Sequence, residues 1–161
     1  MKEHIFRYEQ HKSTRKLTDM QRVVLKEAKK ALKKSYSPYS GFQVAAAIEL
    51  ANGEIISGAN YENAAYPLCL CAERVALAAA AAQFPNVKIL RMAVTVKSKE
   101  HPQLKPAAPC GACRQVILET ENKQRQPMEI ILQAEKGDVL VIPEGRSLLP
   151  FGFDGDALAG R

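Results

Sequence analysis

Two short cysteine motifs, "CAE" at Cys71–Glu73 and "PCGAC" at Pro109–Cys113, each stand where a strand or loop gives way to a helix. A chain that opens two helices in this way fits a mixed α/β sandwich, with one sheet and helices covering it. The chain has four cysteines, which allow a closed four-sulfur metal site, two disulfides, or a three-sulfur site with one left over. The spacing of Cys110 and Cys113 suits two thiolates on one tetrahedral ion and equally suits a redox pair. Cys71 and Glu73 sharpen the choice. Three protein ligands beside an acid that is not a ligand are the parts of a catalytic zinc with an open fourth position.

The rest of the pattern supplies the sheet. "TDMQ" at Thr18–Gln21 fits a capping box, and a helix is expected from there to about Lys34. "SPYSG" breaks it. "FQVAAAIEL" and "EIISGAN" read as two strands around Asn52-Gly53, a pair that tolerates the positive φ of a two-residue type I′ turn. A helix over 71–83, a strand over Ile89–Val96, a proline-marked loop at Pro102, Pro106 and Pro109, a helix over Gly111–Glu121, and strands in "MEIIL" and "DVLVIP" complete the order α-β-β-α-β-α-β-β. "SLLPFGF" reads as a short helix or turn. The alanine run Ala78–Ala82 is a strong helix former whose small side chains also permit close approach of another helix.

Composition narrows the class. At 161 residues, 47% hydrophobic and 25% charged, the chain has the length and make-up of one globular domain. The longest apolar run, Val75–Ala82, is far short of the roughly 20 residues that cross a bilayer. The charged N-terminus argues for an intracellular protein without a secretory signal, where thiols stay reduced. The net charge of +6 is local: 11 of the 23 Lys and Arg, against 4 of the 17 Asp and Glu, fall in residues 1–34. Residues 1–16 therefore read as a basic N-terminal arm and 17–161 as a single domain of near-neutral charge. A solvated helix face accounts for this basicity better than nucleic-acid binding does.

The order of motifs carries a resemblance. "SPYSGFQVAAA", "GANYENAAYPLCLCAER", "PCGACRQ" and "LLPFGFDGDAL" follow one another across about residues 19–158. A Cys-x-Glu followed by Pro-Cys-x-x-Cys is the pattern described for zinc deaminases. Together the motifs resemble the small homotetrameric zinc-dependent cytidine deaminases of the cytidine/deoxycytidylate deaminase superfamily. The resemblance implies a three-layer α-β-α sandwich around one central mixed sheet of about five strands. It implies a cytoplasmic enzyme with one Zn2+ per subunit, a small nucleoside substrate, active sites shared within a homotetramer, and neither a membrane nor a nucleic-acid partner.

Residue by residue, Cys71, Cys110 and Cys113 match the zinc ligands and Glu73 the proton shuttle. Asn60 and Glu62 match the pair that reads the ribose 3′-hydroxyl, Phe42 a residue lining the base pocket, and Ala72 a backbone contact to the pyrimidine. Phe153 matches an aromatic lent to a neighbouring subunit. Arg74 and Arg114, each directly after a metal motif, can hydrogen-bond thiolates and offset the charge of three sulfurs on one zinc. Relatives often carry glycine at position 45 and a glycine or other small residue at position 69, where this chain has Ala45 and Cys69. Cys69 is therefore expected to stand apart from the metal. The implied reaction is hydrolytic deamination of cytidine and 2′-deoxycytidine to the uridines, with release of ammonia. Three competing readings are deamination of a modified nucleoside such as blasticidin S, base editing of RNA or DNA held by the basic arm, and a structural zinc held by all four cysteines.

Overall fold

A computed structural model describes residues 1–98, 100, 102, 103, 105–155 and 158. Six strands form one sheet: β1 (Glu9–His11), β2 (Phe42–Leu50), β3 (Ile55–Ala59), β4 (Ile89–Ser98), β5 (Glu129–Gln133) and β6 (Val139–Ile142). Their spatial order is β1-β6-β5-β4-β2-β3. The β4–β5 pair runs parallel and the other four pairings are antiparallel. Three α-helices accompany it: α1 (Asp19–Ala31), α2 (Ala72–Gln83) and α3 (Gly111–Gln124).

Alternation along the strands decides which helix goes where. Ala47, Ala93, Ile131 and Val141 point to one face, where they bury Val24, Leu25 and Ala28 of α1. Ala46, Ile48, Met92, Val94, Ile130 and Leu132 point to the other face, under Ala72, Ala76, Leu77 and Ala80 of α2 and Ile117 of α3. The result is the expected three-layer α-β-α sandwich. Val24 and Leu25 are almost fully buried, each contributing about 1.5–3 kcal/mol of transfer free energy. The capping box on α1 is present in both directions, Gln21 N–H to Thr18 Oγ1 and Thr18 N–H to Gln21 Oε1. A tighter helical turn over Leu32–Lys34 then carries the chain to about the expected end.

Two local features depart from expectation. The β2–β3 connection has four residues, Ala51–Glu54, of which Ala51–Gly53 lie inside the Leu50–Glu54 hydrogen-bonded pair. Gly53 N–H bonds Leu50 O and Leu50 N–H bonds Glu54 O, both at 2.9 Å. Of the three, only Gly53 takes positive φ (87°), so the turn is an ordinary tight turn closed by a left-handed glycine and not type I′. Asn52 instead accepts the Glu54 N–H through Oδ1.

The second departure is the sixth strand. Residues 9–11 of the N-terminal arm pair with Val139–Val141, and Gln10 and Lys12 both donate to the Asp138 carboxylate. A strand whose side chains are mostly exposed leaves no hydrophobic period in the sequence, because backbone pairing alone recruits it.

Gly58 sets the height of α2 above the sheet. A Cβ there would stand 2.6 Å from Ala76 N and 2.8 Å from Ala72 O. Only glycine lets the first turn of α2 sit this low, and that turn carries Cys71 and Glu73.

Candidate active site

Cys71 is the N-cap of α2 and Cys110 the N-cap of α3; both have extended backbones (ψ 148° and 167°), and neither side chain caps its own helix. Their sulfurs turn toward each other instead. Sγ of Cys71 lies 3.8 Å from Sγ of Cys110, which lies 3.5 Å from Sγ of the buried Cys113. All three sulfurs fall within 4.8 Å of one another. A tetrahedral zinc with Zn–S bonds of about 2.3 Å needs sulfurs about 3.8 Å apart, so the triad fits the ion. Cys69 is outside it: its sulfur accepts the Asn63 N–H at 3.2 Å and holds the 63–69 turn. The four cysteines divide as three plus one.

The electrostatics suit metal ligation. Hydrogen bonding from the Cys113 thiol, against the opposing effect of burial and with help from Cys110 and Arg74, pulls Cys71 down to about 5. The same contact with Cys71, together with burial, pushes Cys113 up. Arg74 lies beside Cys71, donates to Cys69 O at 3.0 Å, and keeps a buried Nε with no hydrogen-bond partner among the described residues. A buried guanidinium N–H of this kind suits a thiolate neighbour. Arg114 is used differently. Its Nε and Nη1 donate to Pro109 O (2.8 Å) and Leu148 O (3.1 Å), clamping the backbone around Cys110.

Glu73, the second residue of α2, is 4% exposed. Burial raises its carboxyl above the ordinary value, opposed by its own backbone N–H and reinforced by Cys71. It lines a cleft of about 300 Å3 together with Cys71 and Cys110. Val44, Val94, Val96, Leu70 and Ala108 give this cleft apolar walls, and Phe42, Asn60 and Glu62 line it as well. Among the described residues no Lys, Arg or His lines it. A larger groove of about 560 Å3 lies between α2 and α3, shares no residue with the cleft and holds no cysteine.

Two predicted residues are not among those whose side chains line the cleft, although Ala72 is expected to act through its backbone. Ala72 is buried in the main core under α2. Phe153 is 60% exposed, and its backbone is fixed to α3 by a pair of hydrogen bonds with Gln115 outside this chain's own cleft.

Asn60 and Glu62 are held by the "SYSPYSG" segment. Tyr36 N–H donates to Asn60 O and Glu62 N–H to Tyr36 O, so residues 60–62 run on from β3 beside residue 36. This wrapping is invisible in the sequence, where the segment reads only as a helix breaker. Glu121 also escapes a sequence reading. It sits on α3, is fully buried, and accepts backbone N–H groups from Met128 (2.6 Å), Gly145 (2.7 Å) and Arg146 (2.8 Å).

The sequence profile described as "Cytidine and deoxycytidylate deaminase zinc-binding region" matches residues 18–126. The chain belongs to this deaminase family. A family member from Sporosarcina psychrophila, named cytidine deaminase, is 37% identical over 141 residues, covering 88% of this chain and 96% of the relative. One from Halalkalibacterium halodurans, also named cytidine deaminase, is 44% identical over 97 residues, 60% of this chain and 69% of its own. The crystal structure of cytidine deaminase from Burkholderia pseudomallei superposes with a TM-score of 0.71 at 40% identity, covering 85% of this chain and all of that one. The cytidine deaminase structure from Mycobacterium tuberculosis gives 0.65 at 28% identity, covering 85% and 98%. The deaminase sheet expected at about five strands has six here, through β1.

Proposed function

We infer that the chain is a zinc-dependent cytidine deaminase that hydrolyses cytidine and 2′-deoxycytidine to the uridines and ammonia. The observation that carries this reading is a cluster of three cysteine sulfurs able to hold a metal, with the buried Glu73 carboxyl lining the same largely apolar cleft. Cys71, Cys110 and Cys113 would hold the zinc, which would supply the Lewis acidity that brings the pKa of water to about 7.

Glu73 does the proton work. Its carboxylate accepts a proton as water oxygen bonds to C4 of the base, then gives it to the ring nitrogen. A second transfer through the same carboxyl reaches the amine, and the C4–N bond breaks with loss of ammonia. A carboxyl whose pKa burial has raised is better matched to both accepting and returning a proton near neutral pH. The valine and alanine walls exclude bulk water and give the pyrimidine an apolar slot, with Phe42 beside it and the Ala72 backbone at the helix mouth. Arg74 steadies Cys71, while Arg114 acts on the backbone that presents Cys110.

Asn60 and Glu62 are read as the ribose contacts. The absence of a cation among the described residues of the cleft favours an uncharged nucleoside over a nucleotide or a nucleic-acid strand. Phe153, turned away from its own cleft, is read as a contribution to a neighbour's site in a homotetramer. Tyr66 and Leu68, 70% and 65% exposed, give such an assembly apolar surface to cover. Four cysteines without a disulfide fit the reducing cytoplasm.

The test is direct. Zinc-loaded protein mixed with cytidine should shift the ultraviolet spectrum to that of uridine. Deoxycytidine monophosphate should react far more slowly than deoxycytidine. No spectral change with either nucleoside would overturn the assignment, and light scattering reads the subunit number.

A further inference from the structure

Five donors in the 35–44 stretch aim at the two predicted sugar contacts. Ser40 Oγ accepts the Phe42 N–H at 3.0 Å. Its own proton is therefore free to point elsewhere, and the hydroxyl donates to Glu62 Oε1. The N–H groups of Tyr39 (2.9 Å) and Ser40 (3.3 Å) both donate to Glu62 Oε2. Three donors around one carboxylate hold it as an acceptor. They draw its pKa down, the Ser40 hydroxyl most strongly, with burial opposing.

Asn60 is fixed in the opposite sense. Ser35 Oγ donates to Asn60 Oδ1 at 2.5 Å, and Val44 N–H donates to the same oxygen at 2.8 Å. The amide cannot flip without setting its NH2 against two donors. Its Nδ2 gives one hydrogen to Phe42 O at 2.9 Å, and an amide nitrogen carries a second.

We propose that Ser40 and Ser35 are positioning residues that set the hydrogen-bond polarity of the sugar subsite. They make Glu62 a pure acceptor and Asn60 a donor, so that the pair takes one hydroxyl that both donates and accepts. This rests on the assignment of Asn60 and Glu62 to the ribose. A carboxylate has about four lone-pair sites, and three are engaged here, so one remains for the substrate. A hydroxyl at that place satisfies both groups. An ether, a phosphate ester or a hydrogen in its stead leaves Glu62 or Asn60 unpaired, a kind of loss that discriminates strongly.

The experiment compares cytidine with 3′-deoxycytidine on zinc-loaded wild-type protein, Ser40→Ala, Ser40→Thr and Glu62→Gln. Wild type should prefer cytidine by roughly a hundredfold in kcat/KM or more. Ser40→Ala should raise the KM for cytidine roughly tenfold, the worth of one charge-assisted hydrogen bond, with kcat little changed. It should leave 3′-deoxycytidine unaffected, and Ser40→Thr should restore the wild-type values. Combining Ser40→Ala with Glu62→Gln should cost little beyond Glu62→Gln alone.

If wild type treats the two nucleosides alike, the ribose assignment of Asn60 and Glu62 fails. If wild type discriminates but Ser40→Ala loses equally on both nucleosides, the positioning role fails and Ser40 is merely structural. Should Ser40→Ala not fold, Ser40→Cys fills the same space with a weak donor and carries the same expectation and the same refutation.

Discussion

Glu121→Ala should unfold the protein more readily than any loss of a surface contact could. Glu121 Oε1 accepts the N–H groups of Met128 and Gly145, and Oε2 accepts the N–H of Arg146. Gly145 is packed so tightly against α3 that a Cβ there would come 2.3 Å from Ile117 Cγ2. A buried donor left without an acceptor costs about 1–3 kcal/mol. The Met128 and Gly145 amides are buried, whereas Arg146 lies at the surface and its amide can turn to water. With two buried donors left over, the expected loss is about 2–6 kcal/mol. Glu121→Gln keeps one oxygen for two of the donors but sets an NH2 against the Arg146 amide, so its loss should be smaller, about 1–3 kcal/mol.

The assay is urea unfolding of the zinc-loaded protein followed by circular dichroism, with the slope unchanged between variants. For a domain of this size, at about 3 °C per kcal/mol, the alanine variant should also melt roughly 6–18 °C lower. A loss under about 1 kcal/mol for Glu121→Ala would show that water or backbone shifts satisfy those amides, and the argument from buried donors would fall.

Other outcomes follow from the site. Glu73→Gln should retain zinc by atomic absorption yet lose roughly a hundred- to ten-thousandfold in kcat; near-normal turnover would remove Glu73 from the chemistry. Cys71→Ala should lose the metal, whereas Cys69→Ala should keep stoichiometric zinc and turnover within a few-fold, and zinc loss in the latter would reinstate a four-cysteine site. Cys113 is pushed up through its hydrogen bond with Cys71, so metal uptake must displace protons. Zinc affinity measured against a chelator should then rise about tenfold per pH unit for each proton displaced, strengthening upward and weakening toward acid; a flat profile would contradict this. Removing residues 1–12 strips β1 from β6 and should cost about 1–2 kcal/mol and promote association through the bared β6 edge. The kinetic constants should be unaltered, and a change in KM would tie the arm to the site.

What could be read in advance was local in sequence or tied to a strict chemical spacing. The α1 capping box needs only Thr18 and Gln21, three residues apart. Cys71, Glu73, Cys110 and Cys113 announce themselves as candidates because tetrahedral ligation and proton transfer tolerate few other residue types. The turn at Ala51–Gly53 was half legible: Asn-Gly marks a reversal, but loop length depends on where the β2–β3 ladder stops. Strand β1 was not legible, since its partner lies about 130 residues away and its side chains bury little. Glu121 looks like any helix-surface glutamate until the 145–148 turn folds over it. Ser40 reads as part of a breaker, because its role depends on a carboxylate 22 residues further on.

The parallel β4–β5 pair has a kinetic consequence. Cys71 precedes β4 and Cys110 follows it, 39 residues on, so assembling the triad closes a long loop whose entropy must be met before the contact forms. α3 then has to lie across the sheet for β5 to join β4, a non-local step that is intrinsically slow. Each cysteine segment alone offers an ion one or two sulfurs; the third arrives only when this crossover is in place. Zinc uptake during refolding is therefore a clock for the completed topology, running late and in step with β5 docking. Once bound, the ion acts as a staple across that loop and slows the reverse reaction, so the residence time of the folded chain should lengthen with free zinc concentration.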